Sequence, residues 1–384
     1  MKKKVALIFG GRSVERDISV ITAVQTYRHL DDKQYAVTPV FLYEGDFYTG
    51  DMKTIKDFAP FVPSNHKKLV LVSGKFYYVK KDKMTVALKP DVVVNCCHGG
   101  EGENGVLSGV FEFNGLPHTS PSLLPSALCM DKAVSKELFE NMLFNQVKHF
   151  VFSRKEWERD SDKVLFHAES FLRYPLIVKP ARLGSSIGIG VAYKKEDLIS
   201  AIDIAGEFDD KIIVEEKLTD FKEVNCAAFK DGDNIIVSET EQPLSTSDFL
   251  SFNDKYSTGK MGGGGHIIPA EIGTLNSQVK ALTERIYREL EMSGVVRVDY
   301  LVDVKREKIY LNEINTVPGS LAHYLFESAG ITFKDLLDKM INTAIEDHLD
   351  CKSRTHSFST GVLDNFKGGG KTQKMQFDKK KTLP

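Results

Sequence analysis

Four side chains near the C-terminal end have the types and spacing to hold a metal ion beside a phosphate: Arg297 and Asp299 in Arg-Val-Asp, then Glu313 and Asn315 in Glu-Ile-Asn. Residues 295–303 read as one strand and 308–315 as a second, with 304–307 as the turn between them. Residues two apart on a strand share a face. Arg297 and Asp299 therefore share one face, and Glu313 and Asn315 another. A hairpin would bring three oxygen ligands together with one guanidinium. Asp, Glu and Asn are the hard donors that Mg²⁺ takes, and Mg²⁺ keeps coordination positions for phosphate oxygens. That is the profile of nucleotide-dependent phosphoryl transfer. A solvated strand face produces the same alternation of charges. Against it stand the apolar residues elsewhere in both strands, the turn Thr316-Val-Pro-Gly319 directly after Asn315, and basic and glycine-rich segments upstream.

Those upstream segments read as phosphate-handling elements. Ala181-Arg-Leu-Gly-Ser-Ser186 lies between a strand at 176–179 and another at 187–193. A loop of this composition offers backbone N–H groups and hydroxyls to phosphate oxygens, and it can close as a lid. Lys179, at the end of a buried-type strand, needs an anionic partner, which a nucleotide phosphate would supply. An exposed hairpin with a snorkelling lysine is the plain alternative. Val214-Glu-Glu-Lys-Leu218 closes a further strand, with Glu223 close behind. Its backbone is placed to read an adenine edge and a carboxylate to hold ribose hydroxyls, although a solvated acidic loop has the same composition. In the tail, Gly370-Lys-Thr372 imitates the end of a P-loop. Position 365 is Asn where that motif requires Gly, and no strand–loop–helix pattern surrounds it.

The rest of the chain must position these groups. Its 384 residues allow two or three domains. A hydrophobic content of 42% and a charged content of 27% are ordinary for a globular protein. The net charge of −2 argues against a nucleic-acid partner. No apolar run approaches the length of a membrane span, so no membrane partner is expected. Five cysteines without a C-x-x-C pair fit a reducing cytoplasm. Cys96-Cys97-His98 suggests a nucleophile and its base only superficially, because adjacent strand residues face opposite ways. Residues 5–9, 36–42 and 91–95 read as strands of a parallel α/β unit, with the segment 10–19 opening a helix that runs through residue 27. Glu15 and the glycine-rich loop His98–Gly105 then fall at the carboxyl ends of strands, where such sheets bind ligands.

The ordered set of motifs resembles the D-alanine–D-alanine ligase family of the ATP-grasp superfamily. It comprises Gly10-Gly-Arg-Ser-Val-Glu15-Arg, His98-x4-Glu103-Asn-Gly105, Met130-Asp-Lys132, Lys179-Pro-x-x-x-Gly-Ser-Ser-Ile-Gly188, Lys255-Tyr256, Arg297-x-Asp299 and Glu313-x-Asn315-Thr-x-Pro-Gly319. The likeness spans residues 1 to about 348. It implies an α/β (α+β) fold of three parts: an N-terminal parallel α/β substrate domain at 1–121, a central ATP-grasp domain with the lid loop at 122–216, and a C-terminal ATP-grasp domain with the metal site at 217–348. A basic, flexible tail at 349–384 follows, with seven lysines from Cys351 onward.

The resemblance also implies roles. Asp299, Glu313 and Asn315 would hold two Mg²⁺ (or Mn²⁺) ions bridging the phosphates of ATP. Lys132, Lys179 and Ser186 would contact phosphates, and Lys255 would reach the γ-phosphate. Phe249, Glu215, Leu218 and Glu223 would line the adenine and ribose pocket. Glu15 would hold the ammonium of the first D-alanine, linked through Ser185 to Tyr256. Arg297 and the Gly319 N–H would stabilise the tetrahedral oxyanion. His98, Glu103, Ser320, Tyr324 and Leu325 would serve the amino-acid substrates. A cytoplasmic homodimer making D-alanyl-D-alanine for peptidoglycan is the family's expectation. One departure bears on the product. Tyr324 stands where the family usually carries a serine that binds the acceptor's carboxylate. Two alternatives therefore stay open: a ligase with another acceptor such as D-serine, and an ATP-binding module without turnover. The first would consume ATP only with a mixed pair of substrates, and the second would bind nucleotide without consuming it.

Overall fold

The computed structural model describes residues 2–81, 83–244 and 265–355, together with 357, 358 and 360. Three sheets carry residues 1–348. The first contains β1 (Lys3–Gly10), β2 (Tyr35–Tyr43), β3 (Asp46–Thr49), β4 (Lys67–Val72), β5 (Lys75–Lys80), β6 (Lys83–Leu88) and β7 (Val92–Asn95), in the order β6-β5-β4-β3-β2-β1-β7. β7, Val-Val-Val-Asn, is buried throughout, as a β-branched run at the heart of a covered sheet should be. The helix Arg16–His29 crosses from β1 to β2 and buries Val20, Ala23 and Val24 against Val5, Leu7 and Phe9.

The parallel pattern expected for this part holds for β2, β1 and β7. The remaining four strands extend the sheet as an antiparallel meander. The reason is connection length. β2–β3, β4–β5 and β5–β6 are joined by two residues each, enough for a hairpin but far short of a crossover.

The second sheet contains β8 (His149–Ser153), β9 (Leu176–Pro180), β10 (Gly190–Ala192) and β11 (Lys211–Glu216), in the order β10-β9-β11-β8. Its core joins Leu176, Val178, Ile212 and Val214 to Leu198, Ala201 and Ile202 of the helix Lys195–Gly206. The third sheet contains β12 (Lys222–Asp231), β13 (Asn234–Pro243), β14 (His266–Ile267), β15 (Val296–Asp303) and β16 (Lys308–Asn315), in the order β14-β13-β12-β15-β16. One face of it packs on the helix Leu275–Glu289 through Val279, Ile286 and Tyr287. The alternation of β15, buried at Val296, Val298, Tyr300 and Val302, turns Arg297, Asp299 and Leu301 to the other face.

Residues 349–384 form a separate unit, of which the described part runs as helix to Ser353. The expectations for 361–384, including the Gly370-Lys-Thr372 imitation, lie outside the described residues, as do those for Phe249, Lys255 and Tyr256.

Candidate active site

The parallel pair β1 and β7 opens the site. Because the two strands run side by side, the chain leaves both at the same edge. After β1, Glu15 stands at the start of the helix Arg16–His29. After β7 come His98 and a single helical turn, Gly100–Glu103, inside the segment expected to be loop. Glu15 sits between two glycines from different parts of the chain. A methyl at Gly99 would stand 2.4 Å from its Oε2, and one at Gly184 would stand 3.0 Å away. Ser185 Oγ donates to Glu15 Oε1, so the serine–glutamate link expected from the motifs is present. Ser185 and Ser186 both have positive φ (54° and 58°), which turns this loop sharply over the carboxylate.

His98 and Glu103 both bond to protein groups. They tie the loop after β16 to the edge of the first sheet. His98 Nδ1 donates to the Val317 carbonyl (2.6 Å), which leaves Nε2 to accept from Thr22 Oγ1 (2.7 Å). Burial, with the Arg297 charge acting in the same sense, pulls this imidazole down to about 4 and keeps it neutral. Glu103 accepts N–H bonds from Val317 (2.9 Å) and Gly99 (3.2 Å). Its burial and the nearby Glu15 charge push its carboxyl up to about 8. Ser320 donates its N–H to Thr22 Oγ1 (3.0 Å) and its hydroxyl to Gln25 Oε1 (2.6 Å).

The helix Lys132–Asn141 and strand β9 supply the cations. Asp131 caps the helix Lys132–Asn141 by accepting from the N–H groups of Ala133 and Val134. Lys132 Nζ then reaches the Leu183 carbonyl (2.8 Å) and Glu313 Oε2 (3.4 Å). Lys179, from β9, does have an anionic partner, but that partner is protein. Its Nζ lies 2.8 Å from Glu215 Oε2 and 3.4 Å from Asn312 Oδ1. Glu215, 1% exposed on β11, is held on its other oxygen by Lys136 Nζ at 3.1 Å. Burial alone would raise the Glu215 carboxyl; the two ammonium groups outweigh it and bring the group down to about 2. Burial opposes the charge on Lys179 as well, yet Glu215 raises that lysine above its ordinary value. For Lys136 burial prevails and lowers it. Sequence reasoning missed Lys136. Its signal was the spacing from Lys132, since residues four apart share a helix face.

The third sheet carries the metal-type donors. β15 and β16 pair antiparallel, with Asp299 opposite Glu313 and Arg297 opposite Asn315, so all four converge on one face. A bulge after Asp299 adds Asn312 to that face. Arg297 meets Asp299 through both oxygens (2.7 and 2.8 Å), and Asn315 Nδ2 donates to Asp299 Oδ2 (3.0 Å). The register continues across the sheet: Glu241 on β13, Asn225 on β12, Asp299 on β15 and Glu313 on β16 form one polar row. Glu241 and Asn225 were not singled out from the sequence, where nothing local distinguishes them. Among the described residues no three His, Cys, Asp or Glu side chains cluster as a metal cage. Two carboxylates and an amide suit a hard divalent ion that completes its shell with water or phosphate oxygens.

These parts face one cavity of about 390 Å³. It is lined by Glu15, His98, Glu103, Lys132, Lys179, Ser185, Ser186, Glu215, Leu218, Glu223, Arg297, Asp299, Glu313, Asn315, Gly319, Ser320 and Tyr324. Leu325 is the exception. It is fully buried with Phe229 and Phe326 and takes no part in the lining. It follows Tyr324 within a helical turn, so its side chain points about 100° around the axis, into the core. Cys96 and Cys97 are also buried, and His98 is engaged with Thr22 and Val317, which leaves no cysteine–histidine pair.

Comparison with known proteins agrees with this arrangement. Residues 4–121 match the family model described as D-ala D-ala ligase N-terminus, and 138–342 match D-ala D-ala ligase C-terminus. A D-alanine--D-alanine ligase of Thermosipho africanus is 36% identical over 367 residues, covering 94% of this chain and 98% of that protein. One from Caldicellulosiruptor bescii is 35% identical over 372 residues, covering 93% and 99%. Among solved structures, a D-Ala:D-Ser ligase from Enterococcus faecalis has a TM-score of 0.76 at 30% identity, covering 90% of this chain and 100% of that one. With both halves matched in order and the motif residues gathered around one cavity, the chain belongs to the D-alanine–D-alanine ligase family.

Proposed function

We propose that this chain joins two D-alanines to D-alanyl-D-alanine at the expense of ATP, through an acyl phosphate, for peptidoglycan precursor synthesis. The observation that carries the reading is the single cavity in which a serine-held carboxylate, two lysines and a metal-type hairpin meet. A free carboxylate is a poor electrophile, and phosphorylation gives it a leaving group. Lys132 and Lys179 neutralise charge on the transferring phosphoryl group. Asp299, Glu313 and Asn315 would hold Mg²⁺, which would supply positive charge against the phosphates. Glu215, Leu218 and Glu223 border the nucleoside; Phe249 and Lys255 join them by resemblance.

Glu15, fixed by Ser185 and cradled by Gly99 and Gly184, takes the ammonium of the first D-alanine. Its carboxylate then points toward the metal hairpin. Arg297 and the Gly319 N–H stabilise the oxyanion that forms when the second amine attacks. The acceptor lies along Ser320 and Tyr324. In this reading residues 1–121 hold the donor, while 122–216 and 217–348 close on the nucleotide. Family membership supports a cytoplasmic homodimer.

A second reading, D-serine as acceptor, has its own support in the polar wall of Tyr324, Glu241 and Asn225 and in the likeness to the Enterococcus D-Ala:D-Ser ligase. ATP-dependent phosphate release from purified protein, with products identified by mass, separates the two. Release with D-alanine alone, yielding the dipeptide, is expected. Release only with D-alanine plus D-serine would favour the second reading, and no release with any pair would refute both.

A further inference from the structure

The polar row extends past the metal hairpin. Strands lie roughly 4.8 Å apart, so Glu241, two strands from Asp299, stands about 10 Å along the row from it. That separation puts its carboxylate away from the metal-type donors and beside Tyr324. Glu241 is 5% exposed. It accepts from Tyr324 Oη (3.0 Å) and Asn225 Nδ2 (2.9 Å), and its other oxygen lies 3.9 Å from His266 Nδ1. The Tyr324 ring also stacks on His266, with centroids 5.6 Å apart. The phenol is thus held at its hydroxyl by a buried anion and on its face by an imidazole.

We propose that Glu241 is a positioning residue that clamps Tyr324 as the wall of the acceptor subsite, restricting the second amino acid to a methyl- or hydroxymethyl-sized side chain. The inference rests on the ligase reading given above. Three points support it. Tyr324, Ser320 and Gly319 line the same stretch of cavity, immediately after the metal hairpin. The hydroxyl proton of Tyr324 is committed to Glu241, so toward the cavity its oxygen offers lone pairs, suited to an incoming ammonium. The phenol also fills volume that a serine would leave open, so the wall discriminates by size only while the ring is held in place.

The test uses the full-length protein with saturating ATP. KM is measured separately for the donor and acceptor sites, and acceptors range from D-alanine and D-serine to D-valine and D-leucine. Glu241→Ala should raise the acceptor KM at least about tenfold, the loss of one hydrogen bond to a charged group. It should also admit the larger D-amino acids and leave the donor and ATP KM values within about twofold. Tyr324→Phe, which keeps the ring and the packing, should raise the acceptor KM in the same way. Glu241→Gln, whose amide oxygen still accepts from the phenol, should bring that KM back toward wild type. Equal changes in donor and acceptor KM, or an unchanged acceptor range in Glu241→Ala, would overturn the clamp. Failure of the wild-type protein to form any dipeptide would overturn the ligase reading and the clamp with it.

Discussion

Replacing Glu215 with Gln should damage this protein far more than replacing its partner Lys136 with Met, although both delete one charge from the same buried cluster. Lys136, Glu215 and Lys179 carry two positive charges and one negative, with N···O separations of 3.1 and 2.8 Å. At an effective dielectric of about 20 these attractions are worth about 5 and about 6 kcal/mol before desolvation is subtracted. Lys136→Met leaves a balanced Glu215–Lys179 pair and removes an ammonium that burial already disfavours. Because Glu215 keeps a charged partner, the expected loss is smaller than for a pair left with no counter-ion, about 1–2 kcal/mol. Glu215→Gln removes the carboxylate that both buried ammonium groups share, and breaking a buried pair in this way costs roughly 3–5 kcal/mol.

Acid supplies an independent check. A carboxyl lowered to about 2 in the folded state, from 4.5, contributes stability that is complete above pH 4.5 and lost as pH falls toward 2. The shift corresponds to about 3 kcal/mol. That share of the acid dependence should vanish in Glu215→Gln. Urea unfolding of nucleotide-free protein at pH 7, repeated down to pH 3, measures both quantities. Equal destabilisation by the two substitutions would refute the charge accounting. An unchanged acid limb in Glu215→Gln would refute the assignment of the low carboxyl.

Two further outcomes follow from the site. Glu313→Ala should lower kcat roughly a hundredfold or more while the unfolding midpoint changes little, and near-normal turnover would dismiss the metal assignment. His98, held near 4 instead of 6.5, favours folding through its neutral form. That stability is full above pH 6.5 and is lost as pH falls through 4, so His98→Gln should show a flatter stability profile between those values; a profile parallel to wild type would count against it.

Periodicity and side-chain type alone were enough for several elements. The alternation in 295–303 and 308–315 specified both strands and which residues share a face, because the two-residue repeat of a strand is local. The motif order pointed to the family and to many of the residues that line the cavity. What the tertiary structure decided depends on pairing between distant segments. Register across β13, β12, β15 and β16 put Glu241 and Asn225 in line with Asp299 and Glu313, and no local pattern records which strand lies beside which. The partner of Lys179 proved to be Glu215, because β9 and β11 bring the two into one buried layer with Lys136. Leu325 went to the core and Tyr324 to the cavity by the roughly 100° turn between successive helical residues. Composition fixes what a side chain can do, but only the packed chain determines which distant charge it must do it beside.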